Sequence, residues 1–255
     1  MPTIHRWRAP DYWGAIDFIS DLHLAENTPR TFEAFAAHMR GTGADAVIIL
    51  GDLFEVWVGD DARHFGFEAD CVQVLADASA RRTVAFMAGN RDFLVGAEML
   101  AACGVKHLPD PTLITAFGGN MLLTHGDELC LSDVGYQHTR ALVRSAAWQR
   151  DFLARPLDER RRLARSYREE SQQHKMQQGT WVDIDKPAAL GWLDAAGSTR
   201  MIHGHTHMPG DETIAPGVVR HVLSDWDLDH PGGPPRAQVL RWQASGVSRI
   251  APAAP

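Results

Sequence analysis

Five apolar segments of this chain each run directly into a short cluster of Asp, His or Asn. The clusters are Asp21-Leu22-His23, Gly51-Asp52, Gly89-Asn90-Arg91-Asp92, His125-Gly126-Asp127 and His203-Gly204-His205-Thr206-His207. This pattern constrains the fold more than any other feature. An uninterrupted apolar strand is buried on both faces, which asks for a sheet covered on both sides. Open α/β sheets place their ligands beyond the ends of such strands. Taken alone, Asp21-Leu22-His23 or Asn90 reads as well as a surface turn. Three imidazoles between His203 and His207 rarely serve packing, and the five clusters together point to one shared locus.

The strands read as Ala15–Ser20, Ala46–Leu50, Thr83–Met87, Asn120–Leu123 and Thr199–Ile202. Helices are expected over Thr31–Arg40, Phe67–Ala80 and Ala97–Cys103. Leu113–Phe117 and Asn120–Leu123 look like a hairpin turning at Gly118-Gly119. Val218–Leu223 and Ala237–Trp242 are late strands, so a second and more antiparallel sheet is expected. With 255 residues, 45% of them hydrophobic, the chain supports one sizeable core. One domain over 1–255 is expected, with 245–255 as a frayed tail.

Residues 133–185 contain no obvious strand and read as a helical insertion, interrupted near Pro156. Leu142, Val143, Trp148, Phe152, Leu153 and Leu157 give it apolar surface, and a run of arginines from Arg140 to Arg168 makes it basic. One reading is a solvated helical hairpin that uses arginine as a good helix former. The other, favoured by the neighbouring clusters, is a cap that offers apolar and cationic groups to an amphiphilic anion.

The formal net charge of −7 gives no support to nucleic-acid binding. Cys71, Cys103 and Cys130 are odd in number and lack metal-type spacing, which predicts free thiols in a reducing compartment. No stretch approaches the roughly 18 to 20 apolar residues that span a bilayer, and Met1–Ala15 lacks the apolar run of a signal peptide. A soluble or peripheral protein without an obligate protein partner is expected.

The polar clusters carry metal-ligand chemistry. Residues two apart on an extended strand end share a side, so Asp21 and His23 can meet one cation; His205 would complete a second site and His207, two residues on, the first. The carboxylate of Asp52 can bridge two cations, and Asn90 adds a neutral oxygen. The expected first site is Asp21, His23, Asp52 and His207; the second is Asp52, Asn90, His125 and His205. Mixed oxygen and imidazole donors without thiolate favour manganese, iron, cobalt or zinc over calcium. Such a pair activates water for attack on a phosphorus ester or anhydride. Arg91 can donate paired hydrogen bonds to a phosphate but is too basic to act as a general acid, which suits a leaving group that needs little protonation. His203 is expected behind the ligands or facing substrate. Asp92 and Asp127 either orient ligands or cap local structure. Asp60 and Asp61 attract cations or orient a basic residue of the cap.

On these motifs the chain resembles the calcineurin-like metallophosphoesterases. Longer runs, Ile19–Leu24, Leu50–Asp61, Gly89–Leu94 and His125–Cys130, resemble the UDP-2,3-diacylglucosamine hydrolase branch, in which Arg stands at position 91 where most relatives have His. The resemblance covers roughly Ile16–Trp226. It implies a four-layered αββα sandwich with a dinuclear site, two manganese ions or other divalent transition metals, and a helical lid inserted before the last metal motif. It implies attack of water on the α-phosphorus of UDP-2,3-diacylglucosamine, giving UMP and 2,3-diacylglucosamine 1-phosphate (lipid X), a step of lipid A synthesis at the cytoplasmic face of the bacterial inner membrane. Asp52, Asn90, Arg91, His125 and His205 would be catalytic. Asn90, Arg91, His205, Asp133, Tyr136, Ser171, Lys175 and Gln177 would touch substrate, although one lysine of the family's lid is a glutamine here, a change that relaxes headgroup selectivity. The alternatives are a dinuclear phosphodiesterase or pyrophosphohydrolase of soluble nucleotides and, more remotely, a non-catalytic scaffold.

Overall fold

The computed structural model describes residues 1–178 and 182–254, with side chains described through residue 167 and again from 182. Its strands are β1 (His5–Arg8), β2 (Ala15–Ile19), β3 (Ala46–Leu50), β4 (Thr83–Met87), β5 (Lys106–His107), β6 (Thr112–Ala116), β7 (Gly119–Leu123), β8 (Arg200–His203), β9 (Gly210–Ala215), β10 (Val218–Val222), β11 (Val239–Gln243) and β12 (Gly246–Ile250). Its helices are α1 (Pro29–Gly41), α2 (Gly66–Ser79), α3 (Ala97–Ala102), α4 (Val134–Val143), α5 (Ala146–Leu153), α6 (Leu157–Gln178) and α7 (Lys186–Ala196).

Two six-stranded sheets result, in the orders β12-β11-β2-β3-β4-β5 and β1-β6-β7-β8-β10-β9. The alternation of side chains along a strand sorts the apolar residues into layers. In β3, Val47 and Ile49 face the layer of α1, α2 and α3, with Phe35, Met39, Leu75 and Met99. Ala46, Ile48 and Leu50 of the same strand face the other sheet, against Ile114, Met121, Leu123 and Ile202. The far face of that second sheet, with Leu113, Leu122 and Met201, buries Ala189, Trp192, Leu193 and Ala196 of α7. The result is the expected four-layered αββα sandwich.

In the first sheet β2, β3 and β4 run parallel, and in the second β7 and β8 do. Their C-terminal ends therefore deliver all five polar clusters to one side of the sandwich. The hairpin expected near Gly118 exists, but its two turn residues are Phe117 and Gly118, both in the left-handed region, and Gly119 already pairs with Ala116. Residues 245–255 were expected to fray. Instead β12 pairs with β11 from Gly246 to Ile250, and the Ala253 amide donates to His38 Nδ1 at 3.2 Å.

The insertion between β7 and β8 is helical, with a break at Pro156 between α5 and α6. It packs on the sandwich: Phe152 is buried and Trp148, Leu157 and Leu163 lie against the core of the first helical layer. Trp148 stacks on Phe152 with ring centres 4.8 Å apart. Several arginines of the segment serve this docking and do not face outward. Arg160 is almost wholly buried and donates to the Val58 carbonyl and, through both terminal nitrogens, to Asp61. Arg161 pairs with Glu68 at 3.0 Å, whereas Arg162 and Arg165 are exposed. Asp61 thus orients a cap arginine as expected. Asp60 does not; it accepts from the amides of Gly96 and Met99 and from the Trp57 indole, which anchors α3.

Candidate metal centre

The ligand residues leave their strands by sharp turns. Asp21, His23, Asp52, His205 and His207 all have left-handed backbone, with φ of 54°, 48°, 53°, 64° and 51°. Each costs about 1–2 kcal/mol for a residue with a Cβ. Clustered strain of this kind marks positions held for function. The grouping of Asp21 with His23 therefore comes from these turns and not from the pleat of an extended strand, and the turns at His205 and His207 send one ring to Asn90 and the other to His23.

Backbone bonds offset the strain by lacing the loops together. The amides of Asp21, His23 and Leu24 donate to the carbonyls of Gly51, Asp52 and Leu53 at 3.1, 3.0 and 2.9 Å. The His205 amide donates to Asp21 Oδ2 at 2.9 Å. Two glycines permit the close approach. A Cβ on Gly89 would lie 2.1 Å from Asp52 Oδ1, and one on Gly204 would lie 2.4 Å from Asp21 Oδ2.

Two groups of acceptors form. In the first, ligand atoms of Asp21, His23 and His207 lie within 4.8 Å of one another, with His23 Nε2 3.2 Å from His207 Nε2 and His207 Nε2 3.5 Å from Asp21 Oδ1. In the second, Asp21, Asp52 and His125 meet the same limit. Here His125 Nε2 lies 3.6 Å from Asp52 Oδ1. Asn90 Oδ1 lies 3.0 Å from that same nitrogen and 2.9 Å from His205 Nδ1. All seven expected ligand residues are therefore brought together, and it is Asp21 that belongs to both groups, whereas Asp52, expected to be the shared carboxylate, joins the second.

The tautomers favour cations. His125 Nδ1 lies 2.9 Å from the Leu50 carbonyl, so its N–H donates there and its Nε2 lone pair faces Asn90 and Asp52. His23 Nδ1 lies 3.2 Å from Glu55 Oε2, which leaves its Nε2 facing His207. Imidazole nitrogens and carboxylates thus converge in a buried site, where a bound cation can take the place of the protons that otherwise separate them. The donor set fits divalent transition metals.

The remaining acids and imidazoles support this centre. Asp92 accepts from four backbone amides, those of Gly89, Leu53, Asp52 and Phe54, at 2.8, 2.7, 3.3 and 3.4 Å. It therefore ties together the two loops that carry Asp52 and Asn90. Burial, together with the Asp52 carboxylate beside it, pushes its pKa up to about 7. Asp127 accepts from the Tyr136 hydroxyl at 2.6 Å and from Arg140 Nε at 2.8 Å, with Arg144 at 3.7 Å. Burial works against its charge, but His125, Arg140 and Arg144 together hold it well below the usual carboxylate range. His203 is fully buried with Nδ1 2.9 Å from the Gly204 carbonyl, so it lies behind the ligands and not against substrate. Burial pushes its pKa down to about 4.

Arg91 lies beside the ligands. Its amide donates to Asp52 Oδ1 at 2.8 Å and its guanidinium stands 3.7 Å from Glu55. Asp133 is the N-cap of α4, accepting from the Tyr136 amide at 2.9 Å. Tyr136 stacks obliquely near His205, ring centres 5.9 Å apart. The side chains of Ser171, Lys175 and Gln177 lie outside the described residues. Sequence reasoning missed Glu55 and Asp225. Asp225 reaches within 3.8 Å of His207 Nδ1 and is itself held by Arg236 at 2.8 Å. No local spacing signals either role, because each partner lies on a different element.

The match to the calcineurin-like phosphoesterase family spans residues 14–209. A UDP-2,3-diacylglucosamine hydrolase of Chromobacterium violaceum is 44% identical over 83% of this chain and 90% of its own length. Proteins of the same name from Xanthomonas oryzae pv. oryzae and Bordetella pertussis are 41% and 38% identical, over 91% and 92% of this chain and 96% and 93% of their own. The strand-end ligands, the two-sheet sandwich and these similarities agree, and the chain belongs to the calcineurin-like phosphoesterase family.

Proposed function

We propose that this chain hydrolyses the pyrophosphate of UDP-2,3-diacylglucosamine, with water attacking the α-phosphorus to give UMP and 2,3-diacylglucosamine 1-phosphate (lipid X) in lipid A synthesis. The observation that carries this reading is the convergence of seven acceptors beside Arg91 and beneath a cap that joins apolar and cationic groups. The names of the relatives support the same substrate.

Asp21, His23, Asp52 and His207 hold one manganese ion in this reading, and Asp52, Asn90, His125 and His205 hold the second. When bound, the ions supply activation of water and neutralisation of charge on the phosphoryl oxygens. The chain's own groups do the rest. Arg91 offers a fork of donors to the pyrophosphate. Asn90 and His205 would contact the substrate as well in this reading. No residue is needed to protonate the leaving group, because a phosphate monoester departs readily.

Residues 133–185 act as the lid in this reading, with Asp133 and Tyr136 as its described contacts to substrate. Val134 and Leu142 of α4 are 74% and 54% exposed, which suits a groove for acyl chains. Among the described residues no helix is long and apolar enough to cross a membrane. Exposed Arg162 and Arg165 would draw the protein to an anionic lipid surface without insertion. In this reading the chain works where its lipid substrate lies, at the cytoplasmic face of the inner membrane. Turnover of the lipid-linked nucleotide set against soluble nucleotides tests the reading. Preference for a soluble nucleotide would leave the metal centre intact and refute the substrate.

A further inference from the structure

We infer that Glu55 is a positioning residue that couples the cation ligand His23 to the phosphate-facing Arg91. The inference rests on the roles proposed above for those two residues.

The segment carrying Glu55 is an extension of the sheet beyond the ligands. A parallel bridge joins Leu24 to Phe54, and the Glu55 amide donates to the Leu24 carbonyl at 3.0 Å. This places the side chain against both loops. Its two oxygens then serve different partners: Oε2 lies 3.2 Å from His23 Nδ1, and Oε1 lies 3.7 Å from Arg91. The side chain is only 12% exposed, so its charge is stabilised by these groups more than by water.

The consequences follow from the geometry. The carboxylate beside Nδ1 favours the proton on that nitrogen and leaves Nε2 facing the centre, the role that a carboxylate behind a metal-bound histidine performs. The contact to Arg91 holds a flexible guanidinium near the place where the pyrophosphate must lie. Only a carboxylate can do both. An amide has one acceptor oxygen, and its NH2 group would face Arg91 as donor against donor. Aspartate, one methylene shorter, would not span the two partners. One residue therefore ties cation binding and phosphate binding together.

The test compares Glu55→Gln and Glu55→Ala with the parent protein. Manganese affinity is measured by calorimetry without substrate, and KM and kcat are measured on UDP-2,3-diacylglucosamine, with circular dichroism as a check of folding. Glu55→Gln keeps an acceptor for His23, so its manganese affinity should stay within about threefold of the parent while kcat/KM falls about tenfold or more. Glu55→Ala should also lose about 10–100-fold in manganese affinity. Adding Arg91→Ala to Glu55→Gln should cost little more than Arg91→Ala alone. Unchanged manganese affinity in a folded Glu55→Ala protein overturns the inference, as does full additivity with Arg91→Ala. If the parent does not turn over the lipid substrate while the manganese titrations separate the variants as stated, the substrate reading fails and the link to His23 stands.

Discussion

Arg144, the C-cap of α4, donates a 2.9 Å hydrogen bond to the carbonyl of Gly89, the residue immediately before Asn90. The same guanidinium lies 3.7 Å from Asp127 and 5.5 Å from the centre of the Phe93 ring. One cap residue thus grips two of the loops that carry the second group, those of Asn90 and His125. Arg140 adds a bond of 2.8 Å to Asp127. The cap is therefore coupled to the metal centre through its backbone and acids.

Loss of this grip has a definite cost. Arg140→Ala removes a charged partner from the buried Asp127 carboxylate and should lower stability by about 2 kcal/mol. Urea unfolding of the parent and the variant measures it. A change under about 0.5 kcal/mol would mean that Tyr136 and Arg144 satisfy Asp127 without it.

Gly204→Ala tests the close approach at the first group. A Cβ there would fall 2.4 Å from both Asp21 Oδ2 and Ser20 Oγ. The Asp21 carboxylate must move, so manganese affinity should fall about 10–100-fold with the fold retained. Calorimetric titration with manganese gives the answer directly.

Manganese should stabilise the protein, because it neutralises facing acceptors only in the native state. At a free concentration about 100 times the dissociation constant the gain is about 2.7 kcal/mol. That corresponds to a rise of about 5–10 °C in Tm for a chain of this size. Scanning calorimetry with manganese and then with excess chelator should show the shift and its reversal.

Asp17 makes acid stability testable away from the metal centre. It is fully buried on β2. Burial alone would raise its pKa, but hydrogen bonds from Arg241, His38 and Thr42 outweigh that and hold it at about 2, below the ordinary 3.8. The unfolded chain therefore binds the proton more tightly than the folded one. The resulting stability, about 2 kcal/mol, is fully present above roughly pH 5 and is lost as pH falls through 4 towards 2. In chelator, Asp17→Asn should flatten the acid limb of stability against pH by that amount. An unchanged limb would contradict the network.

The strand ends were legible because apolar runs stop where ligands begin, a pattern local to each segment. The residues that the structure brings together there were picked out by residue type alone. Edge strands were less legible. Lys106–His107 is two residues long, and His5–Arg8 is polar at three of its four positions, which an edge strand tolerates. Gly246–Ile250 reads as a tail until β11 pairs with it. The i, i+2 argument reached the right partners by the wrong geometry, since left-handed turns and not a pleat aim Asp21 and His23. Glu55 and Asp225 could not be read, because contacts made across elements leave no periodic trace.

The most direct test of the account is manganese-dependent hydrolysis of UDP-2,3-diacylglucosamine by the parent and by Asp52→Ala, with products separated and identified beside a panel of soluble nucleotides. The account expects UMP and lipid X from the parent, little turnover of soluble nucleotides, and a loss of several orders of magnitude in the folded Asp52→Ala protein. Normal turnover by Asp52→Ala would contradict the dinuclear centre, and preference for a soluble nucleotide would contradict the lipid substrate.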